Sequence, residues 1–197
     1  MALLELLPDG NDSVQWSPSA IGQPNYTMVD EGSGAAIDET DNVNEITDGQ
    51  SDRYTWTYNP ALDDATINYV RINFRAKNTN DSGNENIKGL YRESSTNYYT
   101  STITLTDDWA TYTETWTTNP ATSNAWTDDE IENGIWGMEA AIGRGRFNRT
   151  WVATAWLTIS YTPASIGYGN DVIGIDSGDI GKIWGIATAD ISKVNGV

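Results

Sequence analysis

Residues 67–77 read Ile-Asn-Tyr-Val-Arg-Ile-Asn-Phe-Arg-Ala-Lys, setting Val70, Ile72, Phe74 and Ala76 on one side and Tyr69, Arg71, Asn73 and Arg75 on the other. A repeat of two residues fits a strand with one buried face and no other regular backbone. The same period runs through residues 135–142, where it groups Trp136, Met138, Ala140 and Ile142. Along 151–161 it sets Trp151, Ala153, Ala155, Leu157, Ile159 and Tyr161 against Val152, Thr154, Trp156, Thr158 and Ser160. Further strands are predicted at 3–7, 26–29, 54–58, 87–91, 98–105 and 109–117, with turns at 8–11, 78–83 and 143–146. About nine short strands with little helical periodicity predict an all-β fold, an antiparallel β-sandwich of jelly-roll type.

Two segments break the strand pattern. Thr127-Asp128-Asp129-Glu130 has the form of a capping box, followed by Ile131 and by Gly134 as a stop, so a short helix is expected in the loop over 119–134. Residues 30–52 form a long acidic connection with few large apolar side chains, expected as a surface excursion holding one short strand. After Pro163 the composition changes. Residues 164–197 hold seven glycines and an 11-residue repeat, Val172-Ile173-Gly174-Ile175, Ile183-Trp184-Gly185-Ile186 and Val194-Asn195-Gly196-Val197. The expected organisation is a sandwich over 1–163 and a Gly-rich extended tail over 164–197. A segment this short cannot bury those apolar side chains alone. Ile175, Ile183, Trp184, Ile186, Val194 and Val197 are therefore expected to dock on the sandwich, on a neighbouring copy or on a partner.

Composition then excludes whole function classes. The formal charge of −17 opposes contact with polyanions, so neither nucleic acid nor an anionic membrane is an expected partner. No apolar run approaches the length of a membrane span. The chain has no Cys and no His, which removes disulfides, thiolate and imidazole zinc sites, cysteine nucleophiles and His-dependent triads. Nothing singles out one carboxylate pair for glycoside hydrolysis among 28 acidic residues. The expectation is a non-enzymatic protein with no catalytic residues.

Two kinds of binding site remain. Asp30, Glu31, Asp38 and Asp41 in the acidic excursion are oxygen ligands of the type Ca²⁺ takes, with Asp9, Asn11 and Asp12 as a second cluster. A solvated acidic loop is the plainer alternative. Nine Trp and ten Tyr exceed what a core of this size uses. Alternation places Tyr112, Glu114 and Trp116 on one face of their strand and Trp109 on the other. Trp109, Tyr112 and Trp116 are the candidate glycan-stacking residues, against the alternative of burial in a core or an interface.

Residues 106–127 carry Trp109-x-x-Tyr112-x-x-x-Trp116, then Asn119-Pro120-Ala121-Thr122-Ser123-x-x-Trp126-Thr127. This resembles a pattern of tailed-phage virion proteins and prophage-encoded structural proteins, in which a strand leads into N-P-A-T-G-x-x-W-T, a short helix and another strand. Ser123 stands where that pattern has Gly. The opening around residues 3–10, Trp16 and 26–31, and the final Ile-Ser-Lys-Val-Asn-Gly-Val, resemble the ends of the same proteins. The resemblance implies a jelly-roll module decorating a head, tail or fibre, forming a homo-oligomer with other virion proteins around it, and in some members binding host surface glycans. It carries over no catalytic residue. The chain opens with no basic, apolar export signal, so the expected product is made in a host cytoplasm and becomes extracellular within a virion. The alternatives are a carbohydrate-binding module of a secreted protein and a subunit of an extracellular filament.

Overall fold

The strict alternation of residues 67–77 becomes β6 (Thr66–Lys77), which pairs antiparallel along its length with β12 (Thr150–Thr162). In chain order the other strands around this ladder are β1 (Ala2–Leu6), β2 (Pro8–Ser13), β3 (Ser17–Pro18), β4 (Val43–Glu45), β5 (Ser51–Trp56), β7 (Glu85–Glu93), β8 (Thr96–Tyr99), β9 (Ile103–Thr104), β10 (Ala110–Trp116) and β11 (Ile135–Ile142), with a short helix α1 (Asp128–Glu132). The computed structural model describes residues 1–34, 36–79, 85–142 and 149–164, and the backbone of 182–183 and 186–187.

Two compact units divide the chain, Met1–Thr162 and Pro163–Val197. In the second, β13 (Lys182–Ile183) pairs antiparallel with β14 (Ile186–Ala187). Ile183 and Ile186 of the repeat therefore lie on paired strands. Ile175, Trp184, Val194 and Val197 lie outside the described residues.

The first unit is an antiparallel β-sandwich. One sheet runs β10-β6-β12-β4-β3, with β1 also on β12, and the other runs β2-β5-β11-β7-β8, with β9 on β7. From β4 onward the chain alternates between sheets except at β7, β8 and β9, which follow one another in the second, an order of jelly-roll type. Val70, Ile72, Phe74 and Ala76 face inward from β6, each large one contributing about 1.5–3 kcal/mol by leaving water. Gly89 of β7 lies directly above: a Cβ there would meet Ile72 Cγ2 at 2.6 Å. The glycine thus lets the two sheets approach.

Four sequence expectations need correction. In β12 the register steps from Val152–Ala76 to Thr154–Arg75, so Ala153 is a bulge. A bulge inverts the alternation on one side of it. Val152 therefore enters the core and Trp151 turns to the outer face, opposite to the simple period. Residues 8–11, expected as a turn, lie in edge strand β2, where the missing N–H of Pro8 is tolerated. There Asp9 accepts from the Thr55 and Thr57 hydroxyls at 2.7 and 3.0 Å. Residues 26–29, expected as a strand, fall in a 3₁₀ turn (Asn25–Met28) that follows Pro24. Residues 98–105 are split, because the Thr100 hydroxyl takes the place of a ladder group by accepting from Gly89 N at 2.8 Å.

The capping box forms as expected. Thr127 Oγ1 accepts from Glu130 N at 3.2 Å and Glu130 Oε2 accepts from Thr127 N at 2.9 Å. Ser123 has φ of 63°, a conformation that favours the glycine of the resembling pattern.

Candidate functional site

Strand β10 is an edge of its sheet, and its alternation separates the three candidate aromatics. Tyr112 and Trp116 pack against the core. The Tyr112 hydroxyl accepts from Thr106 N at 2.8 Å, and the Trp116 ring lies 5.8 Å from that of Trp136. Their rings are spent on the interior. Trp109 instead lies beside the outer face, with Lys77 Nζ 4.8 Å from its ring centre.

Lys77 pairs in register with Trp151, which pairs on its other side with Asn44. The outer face thus carries a row from Trp109 through Lys77 to Trp151 and Asn44. Trp109 and Trp151 stand two strands apart, about 10 Å at the usual strand spacing. Arg149 lies 5.4 Å from the Trp151 ring. Each tryptophan is covered by a cation, in a chain with only 11 Lys and Arg. Such pairs are worth about 0.5–1 kcal/mol at exposed sites, little enough for a ligand to displace or share them. By sequence, Arg144 and Arg146 lie in the connection that leads to Arg149. This row can stack apolar sugar faces while its two cations attract negative charge.

Trp151 escaped the sequence reading because the Ala153 bulge reverses its face. Its pairing with Lys77 was nevertheless encoded in the same alternating segments.

In the acidic excursion the carboxylates bond to backbone and hydroxyl groups. Glu31 Oε2 accepts from Asp38 N at 2.7 Å, and Asp38 Oδ1 accepts from Thr40 N and Oγ1 at 2.9 and 2.6 Å. These Thr40 bonds hold the Asp38 carboxyl below the usual range. Asp30 is pushed up, first by burial and then by repulsion from Asp41. Among the described residues no three acidic side chains gather as a metal would require. In the second cluster, Asn11 Oδ1 accepts from Tyr26 N at 3.0 Å and Asp12 pairs with Arg53 at 2.8 Å. Asp9 is engaged by the two threonines already described.

Two buried acids were not singled out from sequence. Asp52 accepts from Gln15 N at 2.7 Å, Trp16 N at 2.8 Å, Asn25 Nδ2 at 2.5 Å and Tyr54 Oη at 3.2 Å. Burial pushes its carboxyl up although these four bonds oppose the shift. Burial, with the charge and hydrogen bond of Asp52, pushes the Tyr54 hydroxyl well above its ordinary value. This network clamps the segment between β2 and β4 onto β5. The other acid, Glu85, is fully buried, and neither carboxylate oxygen has a hydrogen-bond partner among the described residues. Its signal was an acid in phase with the inward row of Ile87, Gly89 and Tyr91.

An open cleft of about 340 Å³ lies beside α1, lined by Tyr91, Glu93, Ser94, Asp129, Glu130 and Asn133. Burial, then Glu93 and Glu130, push the Tyr91 hydroxyl up. A second cleft of about 330 Å³ has Trp156, Thr158, Leu3, Leu4, Glu5 and Ser33 as its lining. Leu3 is 67% exposed there, while both Glu5 oxygens accept from Ser33, at 2.6 and 2.9 Å. No family model and no curated protein matches the chain.

Proposed function

We propose that this chain is a non-enzymatic structural module of a virion, whose sandwich presents the Trp109–Lys77–Trp151–Arg149 face to an acidic surface glycan and whose residues 164–197 drive homo-oligomeric assembly. The observation that carries the binding part is the outer-face row: two tryptophans two strands apart with a cation beside each. Aromatic faces take the apolar side of a sugar ring, and Lys and Arg take its carboxylate, sulfate or phosphate. In a protein of charge −17, a local positive face also sets which anionic ligands can approach. The assembly part is supported by the apolar Gly-rich repeat, which is too short for a core of its own. Placement in a virion rests on the resemblance of residues 106–127.

Retention on immobilised neutral and acidic oligosaccharides tests the face. Wild type is retained on acidic sugars, and Trp109→Ala and Trp151→Ala each weaken retention at least about tenfold, given about 1–3 kcal/mol for a lost aromatic stacking contact. Retention unchanged in both variants overturns the reading. Light scattering with and without residues 164–197 tests assembly. A discrete oligomer reduced to a folded monomer supports it, and monomers in both cases leave a carbohydrate-binding module of a secreted protein as the better description.

A further inference from the structure

At one end of the sandwich, buried polar side chains stand among the apolar ones between the two sheets. Glu85 opens β7, and its position in phase with Ile87 turns it inward. Thr150 opens β12 in phase with Val152, and its hydroxyl, also fully buried, has no hydrogen-bond partner among the described residues. Thr150 pairs in register with Glu45, which is in phase with core residue Val43. One oxygen of Glu45, Oε1, accepts from Ile46 N and Thr47 N, both at 2.7 Å.

Asn78 joins this group through the backbone. The pair Trp151–Lys77 is in register, and one residue beyond it on each strand come Thr150 and Asn78. Asn78 Nδ2 donates to Leu105 O at 3.0 Å, and Leu105 N donates to Glu85 O at 3.3 Å. Glu85, Asn78 and Thr150 are thus linked across both sheets. Packed sheets stand about 10 Å apart, a gap that a glutamate from one side and a threonine from the other span with a single ion between them.

A buried carboxylate without an opposite charge or hydrogen bonds costs several kcal/mol. Asp52 shows how this fold meets that cost with protein donors, since its oxygens receive four bonds. At Glu85 the protein supplies none among the described residues, and the Thr150 hydroxyl is left without a partner as well.

We propose that Ca²⁺ binds between the sheets at this end, with Glu85 and the Thr150 hydroxyl as ligands and Glu45 as a second carboxylate. The donor types are those of a hard cation, and two carboxylates match its charge. The site is separate from the Asp30–Asp41 excursion and independent of the glycan reading. The ion would tie the first residues of β7 and β12 together and steady the strand end that carries Trp151.

The test is thermal melting of the full chain in chelator and in Ca²⁺ of about 1 mM, a concentration that fills weak extracellular sites, together with tryptophan-sensitised Tb³⁺ emission. The melting temperature is expected to rise in Ca²⁺ by about 5 °C or more. Tb³⁺ emission should appear and be displaced by Ca²⁺. Glu85→Gln abolishes both responses, and Thr150→Val weakens Ca²⁺ binding at least about tenfold, the loss typical of a support removed from a metal site. Wild type without either response overturns the proposal, as does a response that survives Glu85→Gln undiminished. Should Glu85→Gln not fold, the wild-type titrations and Thr150→Val decide the matter.

Discussion

At the α1 end, the space between the sheets is closed by rings. Trp136 lies 4.5 Å from Tyr91, 5.3 Å from Trp126 and 5.8 Å from Trp116, centre to centre. Trp126 Nε1 donates to Trp116 O at 3.2 Å, fastening the loop that carries α1. At the opposite end the same two sheets close over Glu85, Thr150 and Asn78. The first arrangement is complete in the protein itself, apart from Trp136 Nε1 and Asn119 Nδ2, which lack a hydrogen-bond partner among the described residues. The second leaves a whole carboxylate without a hydrogen-bond partner among the described residues.

The ring end should be the costlier to break. Trp136→Ala should destabilise the protein by about 3–5 kcal/mol, the range for deleting a buried aromatic, as read by chemical denaturation. The opposite end should behave in reverse once cations are removed. In chelator, Glu85→Met replaces a buried carboxylate that has no hydrogen-bond partner among the described residues by an apolar side chain of similar size, and should raise stability by about 1–4 kcal/mol. A loss there, in chelator, places an unseen partner on Glu85 and erases the contrast.

Asp52 sharpens the comparison, because it is as buried as Glu85 but fully bonded. Asp52→Asn should cost about 1–3 kcal/mol, because the amide group turns a donor toward donors. Its pH dependence has a definite sign. Since the folded Asp52 carboxyl lies above its ordinary 3.8, the folded state holds the proton over a window where the unfolded state has lost it. The stabilisation of wild type over Asp52→Asn is therefore complete below about 3.8 and declines as pH rises through the folded value. Denaturation of both proteins at a series of pH values measures that difference.

Smaller effects test the α1 loop. Thr127→Ala removes one half of the capping box and should cost about 1 kcal/mol. Ser123→Gly should instead gain about 0.5 kcal/mol, because glycine accepts the positive φ without a Cβ penalty. Melting temperatures of the pair should shift in opposite directions.

The strands were legible where burial alone sets the period. Residues 67–77 and 135–142 alternate without interruption, and both form the elements expected. The capping box was legible because its chemistry is local, four residues long. Residues 8–11 misled because Pro, Gly and Asn serve an edge strand as well as a turn, and only the pairing with β5 distinguishes them. The bulge at Ala153 left no mark of its own in composition, so Trp151 was assigned to the wrong face and the outer row lost a member. Alternation separated Trp109 from Tyr112 and Trp116 without saying which face looks outward; the pairing with β6 turns Tyr112 and Trp116 toward the core. Glu85 could have been noticed as an acid in an apolar phase. Its isolation depends on which groups the other sheet brings near it, and that is tertiary information.

The contrast between the two ends is tested most directly by an anomalous difference map from crystals of the full chain grown with Ca²⁺ and then exchanged to Tb³⁺. The account predicts a peak between the sheets, bounded by Glu85 and Thr150 at distances typical of a hard-cation ligand. A map with no peak there, or with its peak at Asp30–Asp41 instead, contradicts it.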